Sequence, residues 1–124
     1  GSFIYESVST STVHKRSTLN IARAMTLSYS PRSENRNLLA FINDSSRLWL
    51  SGATLHSTET GVIFTSGRVV VDDTCTFQSD ATSAAEAITF GDGVDAANDV
   101  TVEVLPGSQI VLASGYLKYN NVSG

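Results

Sequence analysis

Residues Arg47–Gly67 read RLWLSGATLHSTETGVIFTSG, and this stretch decides the fold. It contains three short apolar pairs spaced i and i+2: Leu48 with Leu50, Ala53 with Leu55, and Val62 with Phe64. That spacing puts both members of a pair on one face of a strand. Ser51-Gly52 separates the first two pairs, a polar run separates the next two, and Thr65-Ser66-Gly67 closes the unit in a tight turn. Three such strands expose more apolar surface than they can bury among themselves, so the segment needs neighbours of its own kind.

Those neighbours are in the sequence on both sides. A first strand recurs as Leu19-Asn20-Ile21, Leu48-Trp49-Leu50, Val69-Val70-Val71 and Val100-Thr101-Val102. A second recurs as Met25-Thr26-Leu27, Ala53-Thr54-Leu55, Cys75-Thr76-Phe77 and Ile110-Val111-Leu112. A third pairs an aliphatic residue with an aromatic one in Leu39-Ala40-Phe41, Val62-Ile63-Phe64, Ile88-Thr89-Phe90 and Leu117-Lys118-Tyr119. The first strand restarts at residues 19, 48, 69 and 100, with the unequal intervals absorbed by insertions at Ser28–Asn37, Gln78–Ala87 and Gly91–Asp99. Self-similarity at this period is the mark of a solenoid. The sequence therefore predicts an all-β parallel β-helix of about four three-stranded coils, with one interior column of Phe41, Phe64, Phe90 and Tyr119 and another of Leu27, Leu55, Phe77 and Leu112. An antiparallel sandwich or jelly roll would show the same alternation, but it has no reason to keep the three-strand order. Three domain segments are expected: residues 1–17 as an N-terminal arm or incomplete first coil, 18–119 as the solenoid, and 120–124 as a tail.

The coil at Arg47–Gly67 and the one that follows, RVVVDDTCTFQSDATSAAEAITFGDG, resemble coils of bacterial parallel β-helix surface proteins such as autotransporter passengers and filamentous adhesins. The resemblance spans roughly residues 18 to 119 as a pattern rather than a signature motif. It implies a right-handed coil and an extracellular or cell-surface location, and it identifies no ligand.

Composition narrows the function classes. Ser and Thr make up about a quarter of the 124 residues, which favours strands and turns over helix. No apolar run approaches the roughly 20 residues that cross a bilayer as a helix, so no membrane insertion is expected. The net charge is −4, and the basic residues Arg32 and Arg36 flank Glu34 with only Tyr29 nearby, which argues against nucleic acid as a partner. Cys75 is the single cysteine, so no internal disulfide forms, and its pairing with Phe77 predicts a buried, unreactive thiol. The charge is divided unevenly. Residues 1–47 hold six Lys or Arg and three Asp or Glu, net +3, whereas residues 48–124 hold two against nine, net −7.

Candidate sites each have an ordinary structural reading beside the functional one. Asp72-Asp73 invites comparison with the paired carboxylates of polysaccharide hydrolases, but adjacent strand residues point to opposite faces and cannot flank one sugar bond. Neither His14 nor His56 completes a catalytic set, so no enzyme activity and no cofactor are expected. Asp92, Asp95 and Asp99 lie on a Gly-bent loop of the kind that offers oxygens to Ca²⁺, although Asp and Gly also form plain turns. Trp49, between two inward leucines, should point outward, either toward a glycan or protein partner or under a loop such as Ser28–Asn37. Asn43-Asp44-Ser45 and Asn121-Val122-Ser123 match the glycosylation acceptor pattern.

The ends carry the leading functional expectation. A solenoid needs polar caps to cover its terminal cross-sections, and none is evident. Phe3-Ile4-Tyr5 at the front repeats the third-strand pattern, and Tyr116-Leu117-Lys118-Tyr119 at the back is still a core-forming strand. The self-association residues are therefore expected to be Phe3, Ile4, Tyr5, Tyr116, Leu117 and Tyr119, with Phe3–Val13 able to act as an arm that adds a strand to a neighbour. The expected function is a structural subunit of an extracellular or cell-surface assembly, a homo-polymer stacked head to tail into a filament. Alternatives are a fragment of a larger surface adhesin and a carbohydrate-binding or carbohydrate-active β-helix module that meets a host or cell-surface glycan.

Overall fold

A computed structural model describes residues 1–7, 9–31 and 38–123. Among these residues fourteen strands follow one another: β1 (Ser2–Tyr5), β2 (Ser11–Val13), β3 (Thr18–Ile21), β4 (Thr26–Tyr29), β5 (Leu39–Phe41), β6 (Arg47–Ser51), β7 (Thr54–Ser57), β8 (Gly61–Phe64), β9 (Arg68–Asp72), β10 (Thr74–Ser79), β11 (Ile88–Phe90), β12 (Thr101–Val104), β13 (Gln109–Ser114) and β14 (Leu117–Tyr119). The only helical pieces among the described residues are single 3₁₀ turns at Ala84–Glu86 and Ala96–Asn98, inside two of the predicted insertions.

Every third strand lies on the same face, and all paired neighbours within a face run parallel. The first face stacks β3, β6, β9 and β12, and the second stacks β1, β4, β7, β10 and β13. The third carries β2 with β5 and, above them, β8, β11 and β14. This is the parallel β-helix, three-sided and stacked in register. The expected columns exist: Leu27, Leu55, Phe77 and Leu112 are successive register partners, as are Phe64, Phe90 and Tyr119. Phe41 joins the aromatic column edge-on, its ring centre 5.4 Å from that of Phe64. Close aromatic pairs continue through Phe64–Phe90 at 5.6 Å and Tyr29–Phe64 at 5.2 Å, so rings meet along much of the interior.

Three local expectations change. Val62 is half-buried and pairs with Thr89, whereas Ile63 and Phe64 are both fully buried. A bulge at Ile63 advances β8 by one residue and returns Phe64 to the column of Phe90, which period-two reading cannot anticipate. In the last coil the inward pair opposite Val69 and Val71 is Val102 and Val104, so the first strand restarts at Val102 rather than Val100. Finally, Phe3-Ile4-Tyr5 belongs to the second face, where Phe3 pairs with Leu27 and Tyr5 with Tyr29. The third-face position is taken by the unremarkable triplet Ser11-Thr12-Val13, and Val13 pairs with Phe41. Ser2–Tyr5 and Ser11–Val13 are therefore each paired within their own chain.

The corners explain how such short strands turn. Between the first and second faces, one residue per coil has positive φ: Ala24 (64°), Gly52 (61°), Asp73 (67°) and Gly107 (78°). A single left-handed residue redirects the chain sharply and lets its backbone join the coils above and below, as in Ala24 N–H to Gly52 O (3.2 Å) and Gly52 N–H to Asp72 O (2.8 Å). At the second corner Tyr29 does similar work from inside. Its buried hydroxyl accepts the N–H groups of Leu38 (3.1 Å) and Leu39 (3.4 Å) and donates to Ile63 O (3.3 Å). Burial pushes that hydroxyl above its usual pKa, so it stays neutral.

Candidate assembly interface

The interior columns stop abruptly at both ends. In the last coil, Leu112 is 47% exposed although Phe77 directly beneath it is fully buried, and Tyr119 is 49% exposed above Phe90 at 1%. Val104 and Ile110 are exposed in the same way over the buried Val71 and Cys75. The result is an apolar hollow of about 360 Å³ lined by Phe77, Phe90, Val102, Ile110, Leu117 and Tyr119. At the opposite end Phe3 is 45% exposed beneath the buried Leu27. Among the described residues each end also presents strand edges with no partner on the outer side, β12, β13 and β14 at one and β1, β2 and β3 at the other. Such edges present backbone donors and acceptors ready to pair with further strands.

Of the expected self-association residues, Phe3, Leu117 and Tyr119 belong to these open cross-sections. Ile4 points outward from β1 and Tyr116 lies on the exposed turn before β14, so they border the ends without forming them. Tyr5 is mostly buried. Its ring stacks on Tyr29 at 5.5 Å, and its hydroxyl donates to Leu38 O at 3.1 Å or to Ser11 Oγ at 3.0 Å. Sequence reading missed Val102, Val104, Ile110 and Leu112 as end residues. They had the same i, i+2 signature as the internal strands, and only the absence of a following coil among the described residues distinguishes them.

Charge differs between the ends. The turn after β2 exposes Lys15 and Arg16, and the corner after β3 exposes Arg23. Arg23 reaches across Gly52 to form a 2.6 Å ion pair with Asp73, and its guanidinium holds the Asp73 carboxyl below the usual range. At the far end, the loop between β11 and β12 carries Asp92, Asp95 and Asp99. Each is already a turn former. Asp92 accepts the N–H groups of Val94 and Asp95 and the Asn98 amide, while Asp95 caps the short 3₁₀ turn by accepting from Ala97 N–H. Asp99 accepts from Val122 N–H (2.7 Å) and Ser123 N–H (3.0 Å), and the Val122 bond leads in holding its carboxyl below the usual range. Among the described residues no three His, Cys, Asp or Glu side chains gather as metal ligands.

The other candidate positions have local structural partners. Trp49 points outward as expected, but it is half-buried and its Nε1–H donates to Asp72 Oδ2 at 3.2 Å. Trp49 pairs with Val70 and Ser51 pairs with Asp72, so reaching Asp72 requires the indole to lean across Val70. Val70 is correspondingly only 1% exposed despite facing outward. Of the Ser28–Asn37 segment that was the alternative cover for Trp49, Ser28 and Tyr29 are part of β4, and residues 32–37, Arg32, Glu34 and Arg36 among them, lie outside the described residues. Asp72 and Asp73 hold different partners on different sides of a corner. Beside this patch, Arg68 bridges Asp44 and Glu103, clamping three successive coils of the outer face. His56 Nε2 meets Asp80 Oδ1 at 2.8 Å. Cys75 is buried, with Sγ 3.1 Å from Leu50 O. Asn43 is engaged by Ser45, and Asn121 pairs with both backbone groups of Val100.

No described helix is long and apolar enough to cross a membrane. Comparison of the chain with family models, with curated proteins and with solved structures yields no match, so the two open ends are the features from which a function must be argued.

Proposed function

We propose that this chain is a structural subunit of an extracellular or cell-surface assembly, stacking head to tail into a filament through the two ends of its solenoid. The observation that carries the reading is the exposure of core-type residues at both ends of otherwise fully buried columns, Leu112 and Tyr119 at one end and Phe3 at the other. Apolar area of this kind is stabilised by removal from water at about 25 cal/mol per Å², and the free strand edges supply direction. The charge distribution fits the same geometry. Residues 1–31 contain three Lys or Arg against one carboxylate, and residues 91–124 contain four carboxylates against one Lys. A head-to-tail contact brings these opposite signs together, whereas a contact between like ends opposes them. The ends differ chemically, so the contact is heterologous and propagates. A cell-surface setting is supported by the scarcity of Lys and the Ser- and Thr-rich surface.

Sedimentation velocity and negative-stain microscopy of the purified chain test this. Polymers that lengthen with concentration and shorten with added salt are expected, and Leu112→Glu should reduce them to monomers. A wild-type chain that remains monomeric at every concentration and ionic strength overturns the reading. It would favour the alternative in which further coils of a longer adhesin cover these ends. The glycan-binding alternative has less support, because the indole edge of Trp49 is committed to Asp72.

A further inference from the structure

The strand count constrains how two copies can meet. The fourteen strands among the described residues make, on three faces, four complete coils and two further strands. The second and third faces therefore hold five strands each, and the first holds only four. Suppose a second copy stacks with its faces aligned, β1 on β13 and β2 on β14. Its β3 then stands two strand spacings above β12, leaving a gap of one strand on the first face. The gap would leave the β12 edge unpaired and would keep Val102 and Val104, together with the incoming Leu19 and Ile21, without a covering layer. That gap would leave β12 and these apolar side chains without the partner strand that every other level of the first face has.

Resting on the head-to-tail reading above, we propose that successive copies are related by a rotation of about one third of a turn, which continues the solenoid without a gap. The incoming β1 then pairs with β12, β2 with β13 and β3 with β14. All three free edges are satisfied, and every pairing stays parallel. The strand lengths are four against four for β1 on β12, three against six for β2 on β13, and four against three for β3 on β14. Inward residues meet inward residues when Phe3 and Tyr5 lie over Val102 and Val104, and when Leu19 and Ile21 lie over Leu117 and Tyr119. The incoming cations also arrive over carboxylates. Lys15 and Arg16 come above the corner holding Asp80 and Glu86, and Arg23 comes above the corner holding Asp92, Asp95 and Asp99. Second copies of this chain are thus the occupant that the end fits in shape, edge pattern and charge.

Disulfide trapping separates the two geometries. With the rotation, outward residues Ile4 and Glu103 of adjacent copies become register partners, and an Ile4→Cys/Glu103→Cys chain should oxidise into a ladder of covalent multimers. Without it, Ser2 comes opposite Val111, and Ser2→Cys/Val111→Cys should form the ladder instead. The expected result is crosslinking of the first variant and not the second, with Cys75 silent because it is buried. Helical reconstruction should give a rise of about 22 Å per copy and three copies per full rotation, from a strand spacing of about 4.8 Å. Filaments that crosslink only through the second pair, or through neither, overturn the rotated junction while leaving head-to-tail assembly in place. Absence of filaments in the wild-type chain defeats the assembly reading itself.

Discussion

At the scale of single residues, the same side-chain type has very different weight according to its level in the stack. Phe64 is fully buried and its ring meets those of Tyr29, Phe41 and Phe90. Phe64→Ala should cost about 3–5 kcal/mol, because it removes a large side chain and leaves a cavity that neighbours on several coils cannot all fill. Leu112 occupies an equivalent inward position but is half-exposed, so Leu112→Ala in the monomer should cost about 1 kcal/mol. Urea denaturation of the two variants checks the contrast, and equal losses would mean that the open end is already covered. Most inward residues were legible in the sequence because alternation fixes them once the strands are found. Ile63 was not, since a bulge breaks the period and local pattern contains no sign of it. Trp49 was correctly read as outward, but its bond to Asp72 depends on a register between coils that no single strand reveals.

At the scale of elements, the corners are where sequence and conformation disagree most. Ala24 adopts φ 64° at a corner where the coils at Gly52 and Gly107 use glycine. A Cβ there is unfavourable, so Ala24→Gly should raise stability by about 0.5–1 kcal/mol, read as a higher urea midpoint. The reverse change, Gly52→Ala, should destabilise, both from its φ of 61° and because the new methyl would sit 3.3 Å from Arg23 Nη1. Strand identity in the central coils could be read from the repeated order of apolar pairs. Near the front it could not. Phe3-Ile4-Tyr5 fits the aromatic pattern of the third strand as well as the Leu27–Tyr29 pattern of the second face, and the weak triplet at Ser11–Val13 gave no signal to separate them. The long corners hid the start of β12 for a related reason: the loop from Gly91 to Val100 has its own buried valine, which mimics the first residue of a strand.

At the scale of the whole molecule, stability is a sum of contacts between neighbouring coils, so it should fall from the middle toward both ends. Hydrogen exchange of the monomer should show its slowest amides in β6–β9 and its fastest in β1–β3 and β12–β14. On assembly the end strands should become protected while the middle changes little; uniform protection in the monomer would contradict a neighbour-limited stack. The solenoid itself followed from the sequence because the same order of three strands recurs along the chain despite coils of unequal length. The open ends were suggested by missing caps, but their geometry needed the strand count, which depends on β1 and β2 joining the stack. The parallel ladders have a mechanical consequence as well. The backbone hydrogen bonds between coils lie along the stacking axis, so a load applied at the two ends of the chain would peel one coil at a time instead of shearing a whole sheet. Each released coil of some 21 to 33 residues frees roughly 70–115 Å of slack. A fibre built this way would yield in steps under tension and absorb work while its remaining coils stay intact.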